Sequence, residues 1–92
     1  MLANGVKRKA VEALHARLEA LENESNPQTP LGDVGWLKLR CQDTLGMHGG
    51  DEYWCNLSFV QLKKDVAEFC EEFPGVLDPD LVATLDSVPV RA

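Results

Sequence analysis

Isoleucine is absent from this sequence of 92 residues, threonine is scarce, and no apolar run approaches the length of a membrane-spanning helix. Because leucine occurs thirteen times instead, the composition favours helices over sheets. The basic residues near the N-terminus precede an amphipathic pattern rather than an unbroken apolar core, and we therefore expect no secretory signal. Together these absences predict a soluble, cytoplasmic protein.

Cysteine is also sparse, and no C-x-x-C or H-x-x-x-H pair occurs. Cys41, His48 and Cys55, with Asp51 close by, are the nearest approach to a metal-binding pattern. Structural zinc sites usually need two ligands within one turn of chain, and that pair is missing. We therefore predict partly buried thiols in a reducing compartment, and neither a metal nor a cofactor.

Catalytic motifs are missing as well. The sequence contains no G-x-S-x-G, no phosphate-binding glycine loop and no H-E-x-x-H. Cys55 and His48 would approach each other across a hairpin, but no further residue nearby completes a catalytic set. A single domain over residues 1–92 is also too small for a deep cofactor cavity. We predict a protein that is not an enzyme.

Helical periodicity is the clearest pattern that the sequence does contain. A helix is predicted over residues 4–23, with Asn4 as its N-cap, and a loop rich in proline follows over 24–33. The apolar stripe of this helix recurs at spacings of three, four and three: Val11, Leu14, Leu18 and Leu21. If a domain of this size cannot cover the whole apolar area of the stripe, the stripe forms a homodimer, which is one hypothesis for the oligomeric state.

The segment 34–57 is ambiguous. Val34, Leu37, Cys41 and Leu45 match a helical stripe, with Asp33 as a candidate N-cap and Gly46 as a candidate C-cap. Residues 36–41 also partly alternate, with Leu37, Leu39 and Cys41 on one face, as in a strand. A strand here would pair with residues 52–57 as a small hairpin, and the helical interpretation is only slightly favoured.

Signals agree again from Ser58 onward. Ser58 and Gln61 form a capping-box pattern, Leu57 and Leu62 a hydrophobic-staple pattern, and Pro74-Gly75 ends the helix predicted over 58–73. Asp78-Pro79 then begins a short helix over 79–86, before a loose tail over 87–92. The predicted fold is mainly α, a single domain of three to four helices, with an α+β alternative if the hairpin forms within 35–57.

Charge supplies the main functional signal. The net charge is −6, and residues 65–86 contain seven carboxylates and no lysine, arginine or histidine. A solvated face explains such a run, but a row of carboxylates also suits a basic protein partner. The candidate partner-binding carboxylates are Asp65, Glu68, Glu71, Glu72, Asp78 and Asp80.

Three large aromatics, Trp36, Tyr53 and Trp54, are expected in the core or at its edge. If Tyr53 or Trp54 were exposed beside the Gly49-Gly50 loop, it would be a candidate interface anchor. Both are therefore added to the candidate partner-binding residues.

These observations predict a non-catalytic protein that binds another protein. The more specific hypothesis is an acidic inhibitor or decoy, of the phage-encoded or immunity kind, that occupies the basic surface of a nucleic-acid-handling enzyme or defence complex. One alternative is a small regulator that touches DNA through its basic N-terminal helix, with Lys7, Arg8, Lys9 and Arg17. A second alternative is an assembly component held in an oligomer by the first helix.

Overall fold

The computed structural model describes residues 5–24 and 26–89, and in this part the chain forms four helices and no strand. The helices are α1 (Gly5–Asn23), α2 (Leu31–Thr44), α3 (Glu52–Glu72) and α4 (Pro79–Ser87). The prediction of a mainly helical chain of three to four helices is confirmed. Helix α2 packs against both α1 and α3, and α4 packs against α1 and α3. None of the helices is long and apolar enough to cross a membrane.

The hairpin alternative is wrong. Val34, Leu37 and Cys41 are buried, whereas Leu39, which a strand would place on the same face as Leu37 and Cys41, is 43% exposed. Burial at spacings of three and four follows the period of a helix. The preference for helix in this segment is therefore correct, and the apparent alternation was a coincidence of a short apolar run.

Helix α2 begins and ends at recognisable positions. Its N-cap is Pro30 rather than Asp33, which lies in the first turn, where a carboxylate complements the helix dipole. At the other end, Gly46 has a positive φ of 75°. The N–H of Gly46 donates to Asp43 and that of Met47 to Gln42, which is the Schellman pattern. Gly46 thus ends the helix as predicted.

Helix α3 begins at Glu52, six residues before the predicted start. Asp51 is its N-cap, and the Asp51 carboxylate accepts a hydrogen bond of 2.9 Å from the Trp54 amide. Ser58 lies inside the helix, buried, and its hydroxyl has no hydrogen-bond partner within the described residues. The predicted capping box is wrong because the core stripe continues one turn further toward the N-terminus, to Cys55. The staple is wrong too, since Leu57 is 49% exposed.

The apolar stripe of α1 lies in the core of the same chain. Val11 and Leu18 are fully covered, Leu14 is 1% exposed and Leu21 is 4% exposed. Within one chain the stripe is therefore covered and leaves almost no surface for a second copy, whereas a homodimer formed in another way stays a prediction. Asn4, its predicted N-cap, lies outside the described residues.

Helix α4 follows the sequence prediction closely at its start. The Asp78 carboxylate accepts from the amide of Asp80 at 2.9 Å, and Pro79 occupies the first turn. The residues after α4 are predicted as a loose tail from residue 87, but Val88 is buried in the core. The Lys63 ammonium donates to the carbonyls of Asp86 and Val88, which holds this end of the chain against α3. Residues 90–92 of the predicted tail lie outside the described part.

The two candidate caps of α3 make a testable pair. We expect Asp51→Ala to lower the free energy of unfolding by about 1 kcal/mol, because it removes the cap. Ser58→Ala should raise it by about 0.5 kcal/mol or more, since alanine is the better helix former and a buried hydroxyl without a partner is lost. Urea unfolding of both variants measures this, and destabilisation by Ser58→Ala would restore the capping-box prediction.

The burial of the α1 stripe predicts the behaviour of Leu18→Ala. Truncating a fully covered leucine should cost about 2–5 kcal/mol of folding stability through the cavity it leaves. It should leave the oligomeric state of the folded chain unchanged, because Leu18 has no surface to offer a second copy. Urea unfolding together with sedimentation velocity checks both points, and a dimer that dissociates in this variant would contradict the assignment.

Candidate functional site

Large exposed apolar side chains gather along α2 and α3. Trp36 is 53% exposed, Trp54 is 45% exposed and Leu57 is 49% exposed. The three large aromatics Trp36, Tyr53 and Trp54 therefore lie outside the core, and Tyr53, at 71%, is the most exposed of them. Single exposed apolar residues are ordinary, but a group of them beside a groove is typical of an interaction surface. We call this surface, which contains Trp36, Arg40, Trp54 and Leu57, the α2–α3 face.

An acidic cleft lies at one end of this face, between α2 and α3. Its volume is about 240 Å³. Its walls include Trp36 and Phe69 together with four carboxylates, those of Asp33, Asp65, Glu68 and Glu72. Asp33, Glu68 and Glu72 form no ion pair with any residue that the structure describes. The cleft therefore carries uncompensated negative charge beside two aromatic rings.

Arg40 separates this cleft from a neighbouring depression of about 370 Å³. The Arg40 guanidinium carbon lies 5.1 Å from the centre of the Trp36 ring, within the range of a cation–π contact. The Arg40 Nε atom lies 3.6 Å from Oδ2 of Asp65, and a terminal nitrogen lies 3.8 Å from Asp43. These contacts hold α2 and α3 together at the surface and compensate the charge of Arg40.

The neighbouring depression is bounded by Trp54 and Leu57 of α3. Trp54 is positioned by the loop before α3. Gly50 has a φ of 101°, and a Cβ atom there would lie 2.6 Å from Cδ1 of Trp54. Only glycine lets the loop backbone approach the indole so closely while holding this dihedral angle. Together with the Asp51 cap, Gly50 gives Trp54 a defined place.

The structure divides the predicted acidic run between three places. Asp65, Glu68 and Glu72 line the acidic cleft, as a shared side of α3 predicts. The acidic run predicts an exposed Asp65, but its side chain is only 14% exposed and pairs with Arg40. Glu71 is exposed and does not line the cleft, while Asp78 caps α4 and Asp80 lines a groove between α4 and α1.

Two members of the cleft escaped the sequence interpretation. The sequence predicts Asp33 as an N-cap and Trp36 in the core or at its edge. The signal that the sequence contains is their spacing, because residues three apart lie on one side of a helix. What the sequence does not contain is the distance between α2 and α3.

The basic N-terminal cluster does not form an open patch. Lys7 is only 3% exposed; its ammonium lies 5.8 Å from the Phe59 ring centre and donates to Asn56 at 3.3 Å. Burial lowers the pKa of Lys7, although the nearby Glu52 carboxylate opposes that shift. Arg8 pairs with Glu12 at 3.7 Å, and Arg17 pairs with Glu24 at 3.2 Å. This geometry offers little support to the DNA-binding alternative.

Two thiols lie in the core, and both histidine rings are within hydrogen-bond distance of Gln42. Cys41 and Cys55 are buried. The His48 ring hydrogen-bonds to Oε1 of Gln42 at 2.9 Å, and the amide nitrogen of Gln42 lies 3.2 Å from the ring of His15, which links α1 to α2. No group of three or more histidine, cysteine or acidic residues among those described is arranged to hold a metal ion.

A scan against protein-family models and searches of curated proteins and solved structures find no match to this chain. A functional assignment must therefore come from the geometry of its own residues.

Cys41 predicts a specific alkaline instability. Burial raises the pKa of the Cys41 thiol from 9.0 to about 12. Between these pH values the unfolded chain loses the thiol proton while the folded chain keeps it, so stability falls as the pH rises through this window. The contribution is at most about 1.4 kcal/mol per pH unit.

We expect Cys41→Ala to lose less stability between pH 9 and pH 10.5 than the unaltered chain does, whatever its stability at neutral pH. Urea unfolding at several pH values measures the slope. Cys70→Ala is the matched control. Burial and the Asp86 carboxylate raise the pKa of Cys70 as well, but this thiol is only partly covered, so its removal should change the slope less. Identical slopes in the Cys41→Ala and unaltered chains would contradict the prediction.

Proposed function

We propose that this protein is not an enzyme and that it works by binding another protein through the α2–α3 face. The partner contributes a basic surface with large apolar side chains. The proposal is carried by one observation: the exposed Trp36 lines the acidic cleft beside its unpaired carboxylates, and the exposed Trp54 lines the neighbouring depression of the same face.

The aromatic part of the face supplies the binding energy. Binding hot spots are enriched in tryptophan, tyrosine and arginine, and lie in positions that become fully desolvated in the complex. Trp36, Arg40 and Trp54 are three such residues, and Arg40 and Trp36 already contact each other. Because these side chains are held by packing before a partner arrives, little conformational entropy is lost on binding.

The carboxylates supply orientation and selectivity. Glu68 and Glu72 are one turn apart on α3, and Asp33 faces them from α2. Complementary charge accelerates encounter and rejects partners of the wrong sign. The whole chain adds to this with a net charge of −6. A partner that itself binds nucleic acid has the basic surface that this arrangement suits.

The more specific form of the proposal is an inhibitor or decoy that covers the basic surface of a nucleic-acid-handling enzyme or defence complex. Support comes from the small size, the net charge and the location of three predicted carboxylates, Asp65, Glu68 and Glu72, in one cleft. In this form the partner loses access to nucleic acid when the complex forms.

Affinity capture from the native host, followed by measurement of the dissociation constant, tests the proposal. We expect Trp54→Ala to weaken binding by about 30-fold or more, as hot-spot tryptophans do. Glu68→Lys/Glu72→Lys should also weaken it, and the loss should grow at low salt, where surface charges are least screened.

The matched control is Glu71→Lys/Asp80→Lys, which changes the net charge equally outside the α2–α3 face. It should retain most of the affinity. Equal losses in the two double variants would show that only total charge matters. If the affinity changes neither with salt concentration nor in Trp54→Ala, the partner does not bind through the α2–α3 face.

A further inference from the structure

A groove runs between α1 and α4, on residues that the α2–α3 face does not use. It consists of two depressions of about 430 Å³ and about 480 Å³. Both depressions are lined by Ala13, Asp78 and Leu81, so they join at these residues. The α1 side of the groove follows one side of that helix, at spacings of four, three and four: Val6, Ala10, Ala13 and Arg17. We call it the α1–α4 groove.

The first depression is lined mainly by apolar surface. Val6 is 64% exposed at its edge, and Leu81 of α4 is half-buried. Further along the same side, α1 contributes only the small side chains of Ala10 and Ala13. Because helices approach more closely where their side chains are small, another helix fits against α1 at this place. An exposed apolar groove of this kind is typical of an interaction surface.

The two sides of the groove carry opposite charges. Lys9 lies on the α1 side and Asp80 on the α4 side, and both are exposed. Neither charged group forms an ion pair or a hydrogen bond within the part of the chain described, and they do not pair with each other across the groove. The remaining charges are engaged, since Arg17 pairs with Glu24 at 3.2 Å and Asp78 caps α4.

This distribution of charge is self-complementary. A twofold axis that runs along the groove, between two facing copies of the chain, places α1 of each copy against α4 of the other. Lys9 and Asp80 line the same depression, so they lie at a similar level along the groove. The axis therefore brings Lys9 of each copy to Asp80 of the other. A second copy supplies both opposite charges that the groove lacks.

The same axis matches large side chains with small ones. Ala13 and Leu81 both lie where the two depressions join, which puts them at the same level along the groove. Leu81 of each copy then lies over Ala13 of the other. Facing layers interdigitate when large and small side chains alternate across them. Packing and charge thus agree on one arrangement.

We propose that the α1–α4 groove is a homodimer interface and that its occupant is a second copy of this chain. This dimer differs from one formed through the apolar stripe of α1, which lies in the core. It is also independent of the proposed function, because the groove shares no residue with the α2–α3 face or the acidic cleft. From Val6 to Arg17 the groove follows α1 for about 17 Å. An interface of that length is small, so the dimer is weak, with a micromolar or higher dissociation constant.

Complementary charge variants of the full chain test the arrangement by sedimentation velocity at increasing protein concentration. Lys9→Glu and Asp80→Lys each place like charges at both pairs, so each variant alone should remain monomeric where the unaltered chain dimerises. Loss of two exposed ion pairs weakens association about 2- to 30-fold, and the repulsion adds to this. Mixed in equal amounts, the two variants should form a heterodimer, because both pairs then join opposite charges.

A charge in the apolar part of the groove tests the packing. Ala13→Glu would place a carboxylate beneath Leu81 of the second copy, where it loses water, and we expect it to weaken the dimer about 10-fold or more. Ala67→Glu, at an exposed position of α3 outside the groove, is the matched control and should leave the dimer unchanged. Both alanines are exposed, so both variants should keep the helical content, which circular dichroism checks.

An unaltered chain that stays monomeric into the millimolar range would overturn the inference and leave the groove to a different occupant. A dimer that persists in Lys9→Glu and Ala13→Glu, or that Ala67→Glu weakens equally, would place the interface elsewhere. If the unaltered chain dimerises but the mixed charge variants do not associate, the twofold arrangement is wrong. None of these outcomes bears on the proposed function, which is measured by the effect of Trp54→Ala on partner binding.

Discussion

The early start of α3 governs both the core and the surface of this protein. Because Asp51 caps the helix, six more residues become helical than the Ser58 signal indicates. That extension brings Cys55 into the core stripe and places Trp54 and Leu57 on the outer side, beside α2. A helix that began at Ser58 would leave both apolar side chains in a loop, and the α2–α3 face would lack its aromatic half.

A second contact joins the two halves of that face. Arg40 of α2 stacks on Trp36 of its own helix and reaches Asp65 of α3. The pair is partly buried, so it is screened less than an ion pair in water. The same contact ties the carboxylates of the cleft to the aromatic groups, and this combination, rather than net charge alone, distinguishes the cleft from an ordinary solvated helix side.

The fold was largely predictable, because its signals are local. Helix ends at Gly46, at Pro74-Gly75 and at Asp78-Pro79 depend on backbone dihedrals and short-range hydrogen bonds, which neighbouring residues determine. The start of α3 was not, since Asp51 and Ser58 are both good caps and only the depth of the core chooses between them. Ser58 is not the N-cap because Cys55 contributes buried surface one turn earlier in the helix.

The candidate site was predictable only in part. By itself the sequence determined three helical segments, most of the core stripes and a run of carboxylates without a basic residue, because period, caps and charge are properties of neighbouring residues; it left the segment 34–57 open between helix and hairpin. Only the tertiary structure decided which carboxylates meet, that Lys7 is covered and that Trp36 and Trp54 are exposed. The physical reason is that burial and electrostatic partners depend on how α2 lies against α3, a distance that no local pattern contains.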